Sequence, residues 1–154
     1  LRSLILIICL ALCVSFLVSC GDNAVDPGIN ETVLFEKPGL VDSAVVTGCY
    51  AFTVRYLVPD TLELGDYSKI KIEFDGYTTS DYSTILVLYH TDDTANVIAY
   101  EVSNMELNGF HSFETAKPSG RAWFELWLYL NPQVCGQGDF KYTRARDLII
   151  YGIR

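Results

Sequence analysis

Most of this chain reads as an all-β domain of about eight antiparallel strands, a sandwich or a barrel. Three observations predict it. Apolar residues recur with a period of two in run after run, the spacing of a strand with one face buried. Turn signals such as Asp92-Asp93, Asn108-Gly109 and Pro118-Ser119-Gly120 punctuate these runs at the interval such folds show. After residue 20 no stretch carries a helical apolar stripe.

The first residues belong to something else. Arg2 is the only charge before Cys20, and the run from Leu4 to Val18 is apolar except for Ser15. Small Ser19 precedes Cys20, and polar Gly21, Asp22 and Asn23 follow. That order of charged, greasy and small residues is that of an export signal covering residues 1–19. The apolar run is about 15 residues, short of the roughly 20 that a helix needs to cross the hydrocarbon core. A short membrane anchor is the alternative. Leu17-Val18-Ser19-Cys20 resembles the lipobox of bacterial lipoproteins. The resemblance implies cleavage before Cys20, a lipid on its sulfur and an acylated new N-terminus. It also implies a place in the bacterial cell envelope. In that family Asp after the Cys favours the inner membrane; Gly21 here favours the outer one. More than one acyl chain would hold the protein stably.

Removing residues 1–19 from 154 leaves 135, enough for one domain with a sizeable core. Residues 20–31 hold Cys20 and a tether rich in Gly, Asp, Asn and Pro, and residues 32–154 form the β domain. Losing Arg2 takes the formal charge from −8 to −9. So acidic a chain is a poor nucleic-acid partner, which would need clustered Lys and Arg. A polybasic hold on anionic lipid is excluded for the same reason, so attachment falls to Cys20. Of five cysteines, Cys9 and Cys13 leave with the signal and Cys20 is modified. Cys49 and Cys135 remain in an oxidising compartment, either paired or as two buried thiols.

The strands follow in order. Residues 33–35 suggest the first. Tyr50, Phe52, Val54, Tyr56 and Val58 alternate with Ala51, Thr53, Arg55 and Leu57, and Pro59-Asp60 ends the run. Ile70, Ile72 and Phe74 alternate with charged residues, and Asp75-Gly76 offers a turn. Residues 84–90, 97–103, 110–115 and 121–130 supply four more. Gly136-Gln137-Gly138 marks a loop before residues 140–142 and 147–153. The ending Arg146-Asp147-Leu148-Ile149-Ile150-Tyr151-Gly152 resembles the last strand of galactose-binding-like jelly-roll modules. That likeness implies a jelly-roll-type sandwich and a carbohydrate- or surface-binding role, with no catalytic residue. Many such modules hold a structural Ca²⁺ near their first and last strands with oxygen ligands. Glu36 and Asp147 stand in suitable places; solvated strand-end charges are the alternative.

Catalytic signatures are missing from the sequence. It has no GxSxG, P-loop, HExxH or EF-hand pattern, and no Cys/His cluster of zinc type. His90 and His111 read as strand residues, and the carboxylates are scattered where a glycosidase needs a facing pair. The expectation is a non-enzyme without cofactor. Residues 121–130 are more telling. Ala122, Phe124, Leu126, Leu128 and Leu130 form one apolar stripe, which belongs in the core. The opposite face then carries Arg121, Trp123, Glu125, Trp127 and Tyr129. Aromatic rings beside charges can stack on sugar faces while the charges bind hydroxyls. Alternatively a loop, the N-terminal segment or a neighbouring strand covers the rings. Two functions are open: a lipid-anchored module binding a glycan or surface partner, or a structural envelope subunit docking through this face or an edge strand.

Cys20→Ser is expected to release or mislocalise the protein, as read by cell fractionation. A variant that stays in the membrane fraction with residues 1–19 uncleaved would instead make the apolar run an anchor.

Overall fold

Residues 121–130 show most plainly the rule that builds the domain. In the computed structural model, which describes residues 30–95, 97–134 and 138–154, this segment is a strand with buried even-numbered residues. The export-type segment 1–19, Cys20, the tether as far as residue 29, and Cys135 lie outside the described residues.

Nine strands occur among the described residues: β1 (Glu31–Thr47), β2 (Phe52–Leu57), β3 (Leu62–Glu63), β4 (Lys69–Thr78), β5 (Ser83–His90), β6 (Val97–Ser103), β7 (Gly109–Ala116), β8 (Arg121–Leu130) and β9 (Phe140–Ile153). A 3₁₀ turn, Asn104–Leu107, joins β6 to β7. One sheet has the order β1-β9-β4-β7. The other has β2-β8-β5-β6, with β3 beside the start of β8. All pairings are antiparallel. Leaving out short β3, the first strand pairs with the last, β2 with β8, β4 with β7, and β5 with β6. That nesting is one long hairpin rolled into two layers, the jelly roll.

Alternation decides what lies between the layers. Ile70, Ile72 and Phe74 of β4 and Leu148 and Ile150 of β9 are fully buried, and they face Phe124, Leu126 and Leu128 of β8. Burying each such side chain contributes about 1.5–3 kcal/mol relative to exposure. Aromatic rings close one side. Tyr100 of β6 stacks on Phe113 of β7 at 4.0 Å and meets Phe74 edge-on at 6.3 Å, joining the two sheets.

The structure departs from the sequence expectation in three places. The first strand runs to Thr47, far past residues 33–35. Pro38-Gly39 breaks the period, and β1 absorbs the break as register shifts against β9. Gly39 (φ +74°) and Asp147 (φ +51°) both turn left-handed there, and Asp147 Oδ1 accepts the Gly39 N–H at 2.6 Å. Asp75-Gly76 makes no turn; both residues sit inside β4. Glycine is needed because a Cβ there would lie 2.5 Å from the Leu107 carbonyl oxygen. Finally, residues 140–142 and 147–153 are one strand, β9. Cys49, just past β1, is disulfide-bonded; the other four cysteines lie outside the described residues.

The outer face of the β1-β9-β4-β7 sheet carries an ionic cluster reaching all four strands. Lys71 Nζ lies 2.7 Å from Glu31 Oε2 and 3.2 Å from Glu73 Oε1. Tyr151 Oη and Ser112 Oγ each donate to Glu73 at 3.1 Å. Burial alone would raise the Glu73 carboxyl, but bonds from Lys71, Tyr151 and Ser112 outweigh it and hold it below the usual carboxylate range. Such a group stabilises the fold fully above its unfolded value of about 4.3, and loses that contribution as pH falls through its native value. Urea midpoints should therefore drop on acidification below about pH 4.3. Glu73→Gln should flatten that limb, and an unchanged limb would place the acid sensitivity elsewhere.

Candidate binding face

Pairing across β2-β8-β5-β6 lines outward side chains into rows. One row is Arg55 (β2), Trp127 (β8), Leu86 (β5) and Glu101 (β6). The next row towards the end of β8 is Thr53, Tyr129, Thr84 and Ser103. Together with Ile98 these two rows, apart from Ser103, line a groove of about 460 Å³. Its floor is largely aromatic and aliphatic; Thr53 and Arg55 stand at one end and Glu101 at the other. Thr84 is already engaged with Ser103, Oγ1 to Oγ at 2.9 Å. A second hollow, of about 200 Å³, lies between Tyr82 and Asp139 at the end of the sandwich. It lacks the apolar floor.

Trp127 is held on two sides. Its Nε1–H donates to Glu125 Oε2 at 2.6 Å, and Glu125 Oε1 lies 3.0 Å from His90 Nε2. The Arg55 guanidinium carbon sits 3.8 Å from the centre of the Trp127 ring, a cation–π contact. The ring is therefore half-buried rather than bare, and part of its cover comes from the neighbouring strand.

The predicted line of five residues divides. All five occupy the outer face, as their parity requires. Trp127 and Tyr129 enter the groove, and Tyr129 is 37% exposed. Glu125 does not line the groove but accepts the Trp127 Nε1–H beside it and orients that ring. Trp123 stands further along β8, opposite His90, and does not line the groove. Arg121 is further still, 3.4 Å from Asp92. Arg55, Thr53, Thr84, Leu86, Ile98 and Glu101 were not anticipated. Outward parity is readable for Thr53 and Arg55 and for Thr84 and Leu86, but which strands lie side by side is not, and Ile98 and Glu101 share a face only through the register shift in the β5–β6 pair.

Elsewhere, His111 stacks on Phe74 at 5.0 Å, and its Nε2 lies 2.9 Å from the Leu107 carbonyl oxygen, a structural post. The two calcium candidates sit on adjacent strands. Asp147 caps Gly39, while Glu36 is exposed and pairs through its backbone with Ile149. No group of three or more His, Cys, Asp or Glu side chains placed to hold a metal occurs among the described residues.

No protein-family model matches the chain, and no curated protein matches it. Among solved structures, one that is similar is TmCBM61 in complex with β-1,4-galactotriose. Its TM-score is 0.46 and its identity 11%, over 71% of this chain and 81% of that one. At that level the likeness transfers neither residue nor ligand.

Phe124→Ala, a fully buried ring in the core, should cost about 3–5 kcal/mol. Trp127→Ala removes a half-buried ring with a cation–π and a hydrogen-bond partner, and should cost about 1–2 kcal/mol. Urea denaturation of both variants checks the order. A larger loss at Trp127 would mean that β8 presents its other face to the core.

Proposed function

We propose that this domain is a non-catalytic binding module of the bacterial envelope, and that its groove takes a carbohydrate. The groove floored by Trp127 and Tyr129 carries the reading. Its volume lies in the range typical of small-ligand sites, about 300–1,000 Å³. Sugar rings present one apolar C–H face and a rim of hydroxyls. Aromatic and aliphatic side chains suit the first, while Arg55, Glu101 and Thr53 at the groove's ends suit the second. The hollow shape favours a ligand over a flat protein partner, the contact expected of a structural subunit. The lipobox-like Leu17-Val18-Ser19-Cys20 supports anchoring at the membrane through Cys20, with the outer membrane favoured by Gly21. Cys135 is the natural partner for Cys49, since it alone remains once the leader and the lipidated Cys20 are set aside.

A glycan array probed with the purified protein tests this. Binding to at least one glycan class is expected, with a loss of tenfold or more in the Trp127→Ala and Tyr129→Ala variants and a retained cooperative unfolding transition. Absence of any glycan binding, together with a stable oligomer by light scattering, would turn the reading to a docking subunit.

A further inference from the structure

We infer that the groove reads an acidic sugar, with Arg55 binding the carboxylate of a uronic acid; this rests on the carbohydrate reading above. The first observation is electrostatic. The chain has 19 acidic residues against 11 Lys and Arg, so its cations have carboxylates to choose from. Lys69, Lys71, Arg121 and Arg146 each lie within 4.0 Å of one. Lys37, Lys117, Lys141, Arg144 and Arg154 have none among the described residues, but all lie on or just past strands of the other sheet. Arg55 has no carboxylate and no hydrogen bond among the described residues; its contact there is the Trp127 ring.

The carboxylates on its face are out of play for different reasons. Glu63, beside Arg121 at the start of β8, is six positions along that strand from the row of Arg55. Glu125, diagonally across β8, has one oxygen on Trp127 Nε1 and the other on His90 Nε2. Glu101 shares the row of Arg55 but stands three strands away, roughly 14 Å at about 4.8 Å per strand. Thus the acid nearest to Arg55 is tied down, and the guanidinium faces the groove uncompensated. Contact with the indole restrains it, so less rotamer freedom remains to be lost when a ligand binds. Its N–H donors form a rigid fork that matches a carboxylate with two parallel bonds. Arg144, on the other sheet, also packs on an aromatic ring, 4.9 Å from the centre of Tyr77. Its Nε is buried, so that fork is not open in the same way.

The rest of the row narrows the ligand. Trp127 and Leu86 offer an apolar floor next to Arg55, and Glu101 closes the far end. Glu101 repels a second carboxylate and accepts hydroxyl protons. The fitting ligand therefore has one carboxylate, an apolar ring face beside it, and neutral hydroxyls beyond. That describes a uronic acid joined to neutral sugars, rather than a polyuronate with a charge on every ring. The net charge of −8 disfavours the polyanion as well.

The test is a glycan array in which each uronate-bearing glycan is paired with its methyl ester and its neutral counterpart, followed by calorimetry on the strongest pair. Hits confined to glycans with isolated uronates are expected, at tenfold or more above ester and neutral forms. The gap should shrink between about 0.05 and about 0.5 M NaCl, because screening weakens a partly exposed ion pair. Arg55→Gln should erase the gap between acid, ester and neutral forms, whatever it does to the absolute affinity for neutral sugars; Arg55→Lys should restore only part of the gap. A urea midpoint close to that of the parent shows that the Gln variant is folded. Equal binding of acid, ester and neutral forms, or a preference that survives Arg55→Gln, overturns the assignment while leaving the carbohydrate reading standing. No binding to any glycan overturns both.

Discussion

Strand β8 lies inside its sheet, with β2 and β3 along one edge and β5 along the other, and its even-numbered side chains are all fully buried. Side chains on a strand alternate between faces, so this one constraint fixes both surfaces at once. A slip of one residue would send Trp127 and Tyr129 into the core and Phe124, Leu126 and Leu128 into water. Hydrophobic burial of Ala122, Phe124, Leu126, Leu128 and Leu130 thus holds the outer face in place. The groove exists because the core will not accept any other register.

What the groove can bind depends on a different kind of link. Its row Arg55, Trp127, Leu86 and Glu101 is assembled from four strands whose members lie up to 72 positions apart in sequence, from Arg55 to Trp127. Backbone pairing places the four side chains in line. Hydrogen bonding then divides the labour among the charges. Glu125 is consumed in orienting Trp127, which leaves Arg55 as the available cation and Glu101 as the available anion. Ionic networking is concentrated on the opposite sheet, where Lys71, Glu73 and Tyr151 bridge strands. The perturbed groups there stabilise the fold, and the groove is left with Arg55 and Glu101, which have no ion-pair partner among the described residues.

The jelly-roll winding reconciles the two demands. Because β1 pairs with β9 and β2 with β8, the ends of the chain close over its middle, and the central strands are paired on both sides. The irregularities fall where β1 and β9 shift register or where a strand must accommodate a close neighbour. Gly39 and Asp147 resolve the register shift between β1 and β9, and Gly76 makes room for the Leu107 carbonyl.

The sequence by itself determined the all-β class, most of the strands, the face that β8 buries and the outward parity of Trp123, Trp127 and Tyr129. These are local properties, set by a period of two and by turn residues, and both can be read along the chain. It missed most of β1, because Pro38-Gly39 resembles an ending and only the partner strand reveals a bulge. It placed a turn at Asp75-Gly76, because glycine signals a turn and a close neighbour with the same letter. Only the tertiary structure decided that Arg55 covers Trp127, that Glu125 is spoken for, and that Glu101 stands across the groove. Those facts depend on which strands become neighbours, and strand order is set by long-range pairing that no local pattern encodes.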